Sequence, residues 1–210
     1  MFTKRDFYRN ERLRGNGGLD NMTVPTTERK EALAAAAEQE LASLQARGMV
    51  ASGNAFSPVL LVKGILNEGE LRGEGLLSGA DGTALRSALS AIGWEPQDFC
   101  VLSAMSAAGD GMAAEPLSTD LFREAVEALD PEAVILLDDA AADLMRETYA
   151  DALAIIEDFD TAMLKPGLVA SVLGRRVLAL DGFEAALSVP AEKQRMWAYL
   201  KQLRPLGAPL

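Results

Sequence analysis

The sequence predicts a three-layer α/β/α domain built around a central, mostly parallel sheet. Its 210 residues are 49% apolar and 24% charged, which is enough apolar material for one core without disulfides or metals. Short apolar runs of strand length alternate with segments of helical periodicity along almost the whole chain. Because the runs are apolar at successive positions, they are typical of strands buried between two layers of helices.

The first half of the chain shows this alternation clearly. Thr26 or Thr27 can cap a first helix that continues to about Arg47, and Gly48 suits the left-handed position after it. A buried strand is predicted at 58–63, followed by a glycine-rich loop from 64 to 82. A helix is predicted at 83–92 and a second strand at 99–103, which contains Cys100.

The second half continues the pattern. Ser118 caps a helix whose apolar face ends before Asp130-Pro131, and a third strand is predicted at 133–137. A helix at 139–149 and a weaker strand at 153–156 follow. Two further strands are predicted at 169–173 and 176–180, with a turn at Gly174. Pro190 begins a last helix that is expected to bury Trp197, Leu200 and Leu203.

Composition excludes several classes of site. The chain has one cysteine and no histidine, which excludes an intramolecular disulfide, an all-cysteine cluster and every Ser-His or Cys-His arrangement. We therefore expect no metal and no cofactor. The net charge of −11 disfavours DNA as a partner, because duplex binding requires lysines and arginines that displace counterions.

Residues 1–21 differ from the rest, with five basic and three acidic residues and a Gly-Asn-Gly-Gly run. We favour a flexible N-terminal extension over a basic-aromatic arm that contacts nucleic acid or a partner. Residues 22–210 are then the folded domain. The N-terminus has no apolar signal segment, and no run approaches the ~20 apolar residues of a membrane span, so we expect a cytoplasmic protein without membrane contact.

Four segments, in order, resemble the uracil-DNA glycosylase superfamily, and in particular its iron–sulfur family 4 type. They lie at 53–62 (GNAFSPVLLV), 79–93 (GADG, then Leu85 and AIG), 130–137 (DPEAVILL) and 189–201 (VP to K193, W197, L200 and K201). The similarity covers roughly residues 28–204. It implies the three-layer glycosylase-like fold, and it implies that the site lies in the loops that follow the parallel strands.

The positions that match the functional residues of that family carry other side chains. The acid of its first motif falls on Gly64, in a turn that reads KGILN and ends at Asn67. The ring that stacks on uracil falls on Leu77, and the asparagine that reads the uracil edge falls on Ser103. The histidine of the last motif falls near Gly182, beside Asp181, and the four cluster cysteines have no counterparts. The vestigial pocket therefore comprises Gly64, Asn67, Leu77, Ser103, Asp181 and Gly182.

Base excision needs a flipped base, a group that reads its edge and a group that stabilises its leaving anion. The resemblance therefore implies a catalytically degenerate domain with no catalytic residue, acting as a non-enzymatic binding or regulatory module through a protein partner or a small ligand. The alternative is an active uracil-DNA glycosylase or nucleotide hydrolase that uses Asp181, Asp138 or carboxylates of the loop from Glu68 to Glu74. A glycosylase would need positive potential over its cleft, from Lys63, Arg72, Arg86, Arg175 and Arg176.

Two other sites are weighed against structural roles. The loop from Gly73 to Gly82 can offer backbone amides to a phosphate, but it lacks the P-loop ending, and we favour a structural turn. Six acidic residues that follow two predicted strands suggest a Mg²⁺ site, although helix capping explains them more simply. These residues are Asp138, Asp139, Asp143, Glu157, Asp158 and Asp160.

Overall fold

A computed structural model describes the backbone of residues 26–95, 99–107 and 114–206, with side chains from residue 35 onwards. The predicted extension at 1–21 and Met22 to Pro25 lie outside the described residues. The described chain is a mixed α/β protein, as the sequence predicts. Its one sheet contains six strands: β1 (Ala51–Gly53), β2 (Val59–Lys63), β3 (Phe99–Ser103), β4 (Ala133–Leu136), β5 (Val169–Val172) and β6 (Arg175–Ala179).

The helices connect these strands. The longer ones are α1 (Thr26–Ala46), α3 (Ala80–Ala91), α4 (Thr119–Leu129), α5 (Asp139–Thr148) and α9 (Pro190–Leu200). The four-residue helices are α2 (Glu68–Leu71), α6 (Ala150–Leu153), α7 (Phe159–Ala162) and α8 (Phe183–Ala186). A 3₁₀ turn, Lys201–Leu203, follows α9.

The strands lie in the order β1-β3-β2-β4-β6-β5. The four inner strands, β3, β2, β4 and β6, pair in parallel, while β1 and β5 pair antiparallel at the two edges. The sheet is therefore mixed, with a parallel centre. Every residue of β2, β3 and β4 is buried, which explains why their sequences are apolar runs without alternation.

Helices pack on both faces of the sheet. Successive residues of β2 alternate between two hydrophobic clusters: Leu60 and Val62 belong to one, and Val59 and Leu61 to the other. The first cluster contains the buried faces of α4 and α5, together with Leu44 of α1. The second contains residues of α3, α8 and α9. Helices therefore cover the central strands of the sheet on both faces.

Three predictions for individual elements were wrong. The segment 153–156 is not a strand. Leu153 is the last residue of the short helix α6, which directly follows α5, and a turn comes after it. The loop from 64 to 82 contains α2, and α3 begins at Ala80 rather than Thr83. Trp197 is only partly buried, and Met196 fills the core position beside Leu200. The edge strand β1 has no apolar run and was not predicted.

A buried tyrosine lies in the hydrophobic cluster that contains α4 and α5, directly after the end of α5. The Tyr149 side chain is fully buried, and its hydroxyl has no hydrogen-bond partner among the described residues. The Arg123 guanidinium lies 5.1 Å from the centre of its ring. Burial raises the pKa of Tyr149 to about 12, against the opposing influence of Arg175.

No helix in the ranges that the structure describes is long and apolar enough to cross a membrane.

Replacing Tyr149 with phenylalanine should change the alkaline stability of the protein. Because burial raises the folded-state pKa to about 12, ionisation of the phenol does not oppose folding below about pH 10, and stability falls as the pH rises from there towards the folded value. Urea unfolding from pH 7 to 12 should show a shallower alkaline decline for Tyr149→Phe, by an amount on the order of 2 kcal/mol. At pH 7 the variant should be equally or more stable, because the hydroxyl is buried without a partner. An equal decline of unfolding free energy between pH 7 and 12 in the wild type and in Tyr149→Phe would contradict the raised pKa of Tyr149.

Candidate functional site

The order of the strands predicts a crevice at the carboxyl ends of β2 and β4. The chain passes from β2 to β3 on one side, and it then crosses to β4 on the other side of β2. Ligands of open α/β sheets usually bind at such a switch point, outside the carboxyl ends of the strands. The loops that follow β2, β3, β4 and β6 begin at this edge, because these four strands are parallel to one another.

Lys63, the last residue of β2, lies at the centre of this edge. Its ammonium contacts Glu70 at 2.8 Å, Asp81 at 2.7 Å and Glu184 at 2.9 Å. The side chains of Lys63, Glu70 and Asp81 are 3%, 1% and 2% exposed, whereas that of Glu184 is 49% exposed. The site is therefore a buried ion cluster, and Glu184 is the one of its four members with substantial exposure to solvent.

The electrostatics keep this lysine charged. Burial is the largest single influence on the pKa of Lys63 and lowers it, but the hydrogen bonds to Asp81, Glu70 and Glu184 together outweigh burial, and the pKa is raised. A lysine that acts as a base or forms a Schiff base needs the opposite shift. Three carboxylates around one ammonium also leave an excess of negative charge, which is unfavourable for an anionic ligand.

Glu70 connects the ion cluster to the loop around it. One of its carboxylate oxygens accepts the Asn67 N–H at 2.9 Å, while the Asn67 side chain accepts the Glu70 N–H in return, forming a capping box at α2. The other oxygen accepts the Leu77 N–H at 2.8 Å. Glu70 therefore holds Lys63, Asn67 and Leu77 in one hydrogen-bonded unit.

Asp138 fills the crevice between β2 and β4. Its carboxylate accepts the N–H groups of Gly64, at 2.9 Å, and of Ile65, at 2.9 Å, and it caps α5 by accepting the Ala141 N–H at 3.0 Å. Gly64 lies so close that a Cβ there would be 2.6 Å from the Ala140 Cβ. The backbone amides that a ligand would use at this point already bind an internal carboxylate.

The other predicted pocket positions also have structural partners. Leu77 is 1% exposed and adopts a φ of 52°, an uncommon conformation for a branched side chain. Ser103 is fully buried, and its hydroxyl accepts the Met105 N–H at 2.9 Å. Asp181 pairs with Arg195 at 3.2 Å, and Gly182 has a left-handed φ of 66° where α8 begins. The structure brings Gly64, Asn67 and Leu77 together around Lys63.

None of the three acids of the cluster was predicted as a partner of Lys63, and Glu70 was considered only as part of the acidic loop from Glu68 to Glu74. Glu184 and Asp81 are distant from Lys63 in sequence, and both lie in first turns of helices, where acids are common. The one available signal was Lys63 itself. A charged residue directly after the buried run Val59–Val62 requires a counter-ion inside the fold.

The alternative phosphate and cation sites have internal partners. In the loop from Gly73 to Gly82, the Leu77 N–H binds Glu70 and the Gly82 N–H binds Asp81 at 2.8 Å, so these amides are not offered to a phosphate. Asp138 and Asp158 cap helices. No group of three or more potential ligand residues is arranged to hold a metal within the described part of the chain.

The basic residues that a DNA-binding cleft would need are separated. Arg175 and Arg176 begin β6, at the sheet edge opposite Lys63, and pair with Asp130 at 3.0 Å and with Glu132 at 2.6 Å. The exposed side chain of Arg72 lies near Glu68 at 3.6 Å and Glu74 at 3.8 Å. Arg86 lies on α3 and donates to the Leu77 carbonyl. These residues form no continuous basic surface over the crevice.

No protein-family model and no curated protein sequence matches the chain.

Replacing Lys63 with methionine should strongly destabilise the protein. The change leaves Glu70 and Asp81 buried without their cation, and breaking a buried ionic contact in this way costs about 3–5 kcal/mol. Lys165→Met is the matched control, because Lys165 contacts Asp160 at the same short distance of 2.7 Å with both side chains about half exposed. It should cost at most about 1 kcal/mol in urea unfolding at pH 7.

Equal losses of unfolding free energy in Lys63→Met and Lys165→Met would contradict this prediction.

Proposed function

We propose that the chain is a degenerate uracil-DNA glycosylase-like domain of three-layer α/β/α architecture that excises no base and acts as a non-enzymatic binding or regulatory module. Its partner is a protein or a small ligand rather than nucleic acid, because a net charge of −11 disfavours phosphate contacts, and the single cysteine is compatible with the cytoplasm. The resemblance of four ordered segments supports the family assignment. The mixed α/β fold with a parallel centre is compatible with it.

One observation carries the proposal: the position of the family's catalytic acid has no room for a side chain. A Cβ at Gly64 would lie 2.6 Å from the Ala140 Cβ, 2.8 Å from Asp138 Oδ1 and 2.9 Å from the Ala141 nitrogen. Two of these atoms belong to the start of α5, so the neighbours cannot rotate away. The φ of Gly64 is not positive, so the backbone conformation does not require a glycine there. The lack of space for a Cβ is therefore the reason for the glycine.

The remaining positions support the same interpretation. A stacking group must present a face to a flipped base, but Leu77 is 1% exposed. A group that reads the base edge must reach solvent, but Ser103 is fully buried and its hydroxyl already accepts a hydrogen bond. Since excision needs these groups to act together, their joint loss should leave little residual activity.

The charge distribution disfavours DNA as the ligand. Lys63, the basic residue nearest the crevice, contacts three carboxylates, and the arginines at the start of β6 pair with acids at the opposite edge. Phosphate contacts require cations that are free to replace counterions. We therefore place the binding role with a protein or a small molecule.

A single-turnover excision assay tests the enzymatic part. Single- and double-stranded oligonucleotides containing uracil are incubated with excess protein and then cleaved at abasic sites with alkali, with an active glycosylase as the positive control. The expected result is no cleavage above a protein-free sample and no retention of DNA at low salt. Cleavage that Asp181→Asn abolishes would overturn the proposal, because Asp181 is a half-exposed carboxylate at this edge.

The space argument for Gly64 has its own test. Gly64→Glu restores the acid of the family, yet it should destabilise the protein by more than about 3 kcal/mol, because the side chain meets the start of α5. Gly75→Glu is the matched control, since a Cβ there has no atom within 4 Å, and it should change stability by at most about 0.5 kcal/mol. A stable Gly64→Glu variant with excision activity would mean that the crevice is an intact active site lacking only its acid.

A further inference from the structure

The short helix α7 presents large apolar side chains to solvent. Phe159 is its first residue and Met163 directly follows its last, so the two side chains lie one helical turn apart on one face. Their exposed fractions are 70% and 42%, and that of Ile155, in the turn before α7, is 82%. Large apolar side chains exposed together are typical of surfaces that bind another segment.

Acidic residues border these apolar side chains. Asp143 of α5 pairs with Arg146, and the Arg146 guanidinium also donates to the Met163 carbonyl at 3.1 Å. This link places the acidic side of α5 next to the end of α7. Asp160 follows Phe159 directly and is half exposed. The apolar side chains therefore have carboxylates beside them from two helices.

The stretch from 139 to 165 concentrates negative charge at this surface. Its seven acids are all exposed, and its cations are Arg146 and Lys165. The acids are Asp139, Asp143, Glu147, Asp151, Glu157, Asp158 and Asp160. Asp139, Glu147 and Glu157 form no ion pair within the described ranges of the chain. Because like charges repel one another, a basic segment bound here would lower the energy of the surface.

We use the name α7 surface for Ile155, Phe159 and Met163 together with the seven acids of 139–165. Its exposed apolar groups and its excess negative charge are relieved by the same kind of partner, a segment that is both aromatic and basic. Met163 adds an adaptable side chain that packs well against aromatic rings.

The N-terminal residues 1–21 have this composition. Their basic residues are Lys4, Arg5, Arg9, Arg12 and Arg14, and their aromatic residues are Phe2, Phe7 and Tyr8. Three acidic residues leave the segment net positive, in a chain whose net charge is −11. Guanidinium groups form strong hydrogen bonds with carboxylates, and aromatic rings bury a large apolar area on contact.

The chain length permits this segment to reach the α7 surface. Leu44 of α1 lies in the same hydrophobic cluster as Leu164, so α1 and α7 are on the same face of the sheet. Arg12 precedes Thr26, the first residue of α1, by fourteen positions. A chain of that length spans up to about 46 Å, whereas a folded domain of this size has a radius of gyration of about 16 Å.

We propose that residues 1–21 bind the α7 surface of the same molecule, with aromatic side chains against Phe159 and Met163 and arginines on the bordering acids. Tethering favours this occupant over a separate basic protein, because a tethered segment acts at an effective concentration on the order of mM. The segment then has the role of a basic-aromatic arm. The inference goes beyond the proposed function and does not depend on it, since no base recognition is involved.

A nitroxide attached at residue 3 of the full chain tests this inference by NMR. Thr3→Cys supplies the thiol, while Cys100, the one native cysteine, is buried. Paramagnetic broadening of amide signals should be strongest at 155–163 and in the second half of α5. An isotope-labelled chain without nitroxide, mixed with unlabelled chain that carries it, should show no such broadening. Broadening centred elsewhere, or equally strong in the mixed sample, would overturn the inference.

Two pairs of variants separate the apolar and the ionic contacts. Phe159→Ser should reduce the paramagnetic effect at least twofold, whereas Leu206→Ser, which removes an apolar side chain of similar exposure after α9, should leave it unchanged. Glu157→Lys should reduce it likewise, whereas Glu95→Lys, which reverses another exposed acid without an ion pair, should not. Equal effects within either pair would overturn the inference. None of these readouts involves uracil excision, so this inference and the proposed function fail separately.

Discussion

The ammonium of Lys63 lies inside the protein at the end of a fully buried strand, where an isolated charge would be prohibitively unfavourable. Its three carboxylate partners come from α2, α3 and α8, of which α8 supplies Glu184, 121 residues after Lys63. Satisfying one charge therefore fixes the position of three helices against the sheet. The local conformations depend on it as well, because Glu70 also binds the amides of Asn67 and Leu77.

The cluster determines what the crevice can do. In an open α/β sheet the carboxyl edge at the switch point usually offers backbone amides to a ligand. Here Asp138 accepts the amides of Gly64 and Ile65, and Glu70 and Asp81 accept those of Leu77 and Gly82. The edge is thus used for internal stability.

Much of the architecture could be predicted, because its signals are local. Runs such as Val59–Val62 have no alternation, which requires burial on both faces, and Ser118 caps α4 as predicted. The mistakes also have local causes. The apolar segment near Leu153 is too short to distinguish a strand from a helix end, and β1 contains Gly53 and pairs only through its backbone with β3. The segment before α3 is rich in glycine and was predicted as a loop throughout. The short helix α2, with its capping box of Asn67 and Glu70, was therefore missed.

The sequence by itself determined the mixed α/β class, the parallel centre of the sheet and the chemistry that the chain lacks, since a protein without histidine cannot use one. The assignment of Gly64, Leu77 and Ser103 to one pocket rests on the resemblance to the glycosylases and stays a prediction. Only the tertiary structure decided that the carboxyl edge of the parallel strands is closed. Whether Glu184 meets Lys63, and whether Arg86 meets a carboxylate, depends on distances between side chains from separate elements, and these distances have no counterpart in the order of residues along the chain.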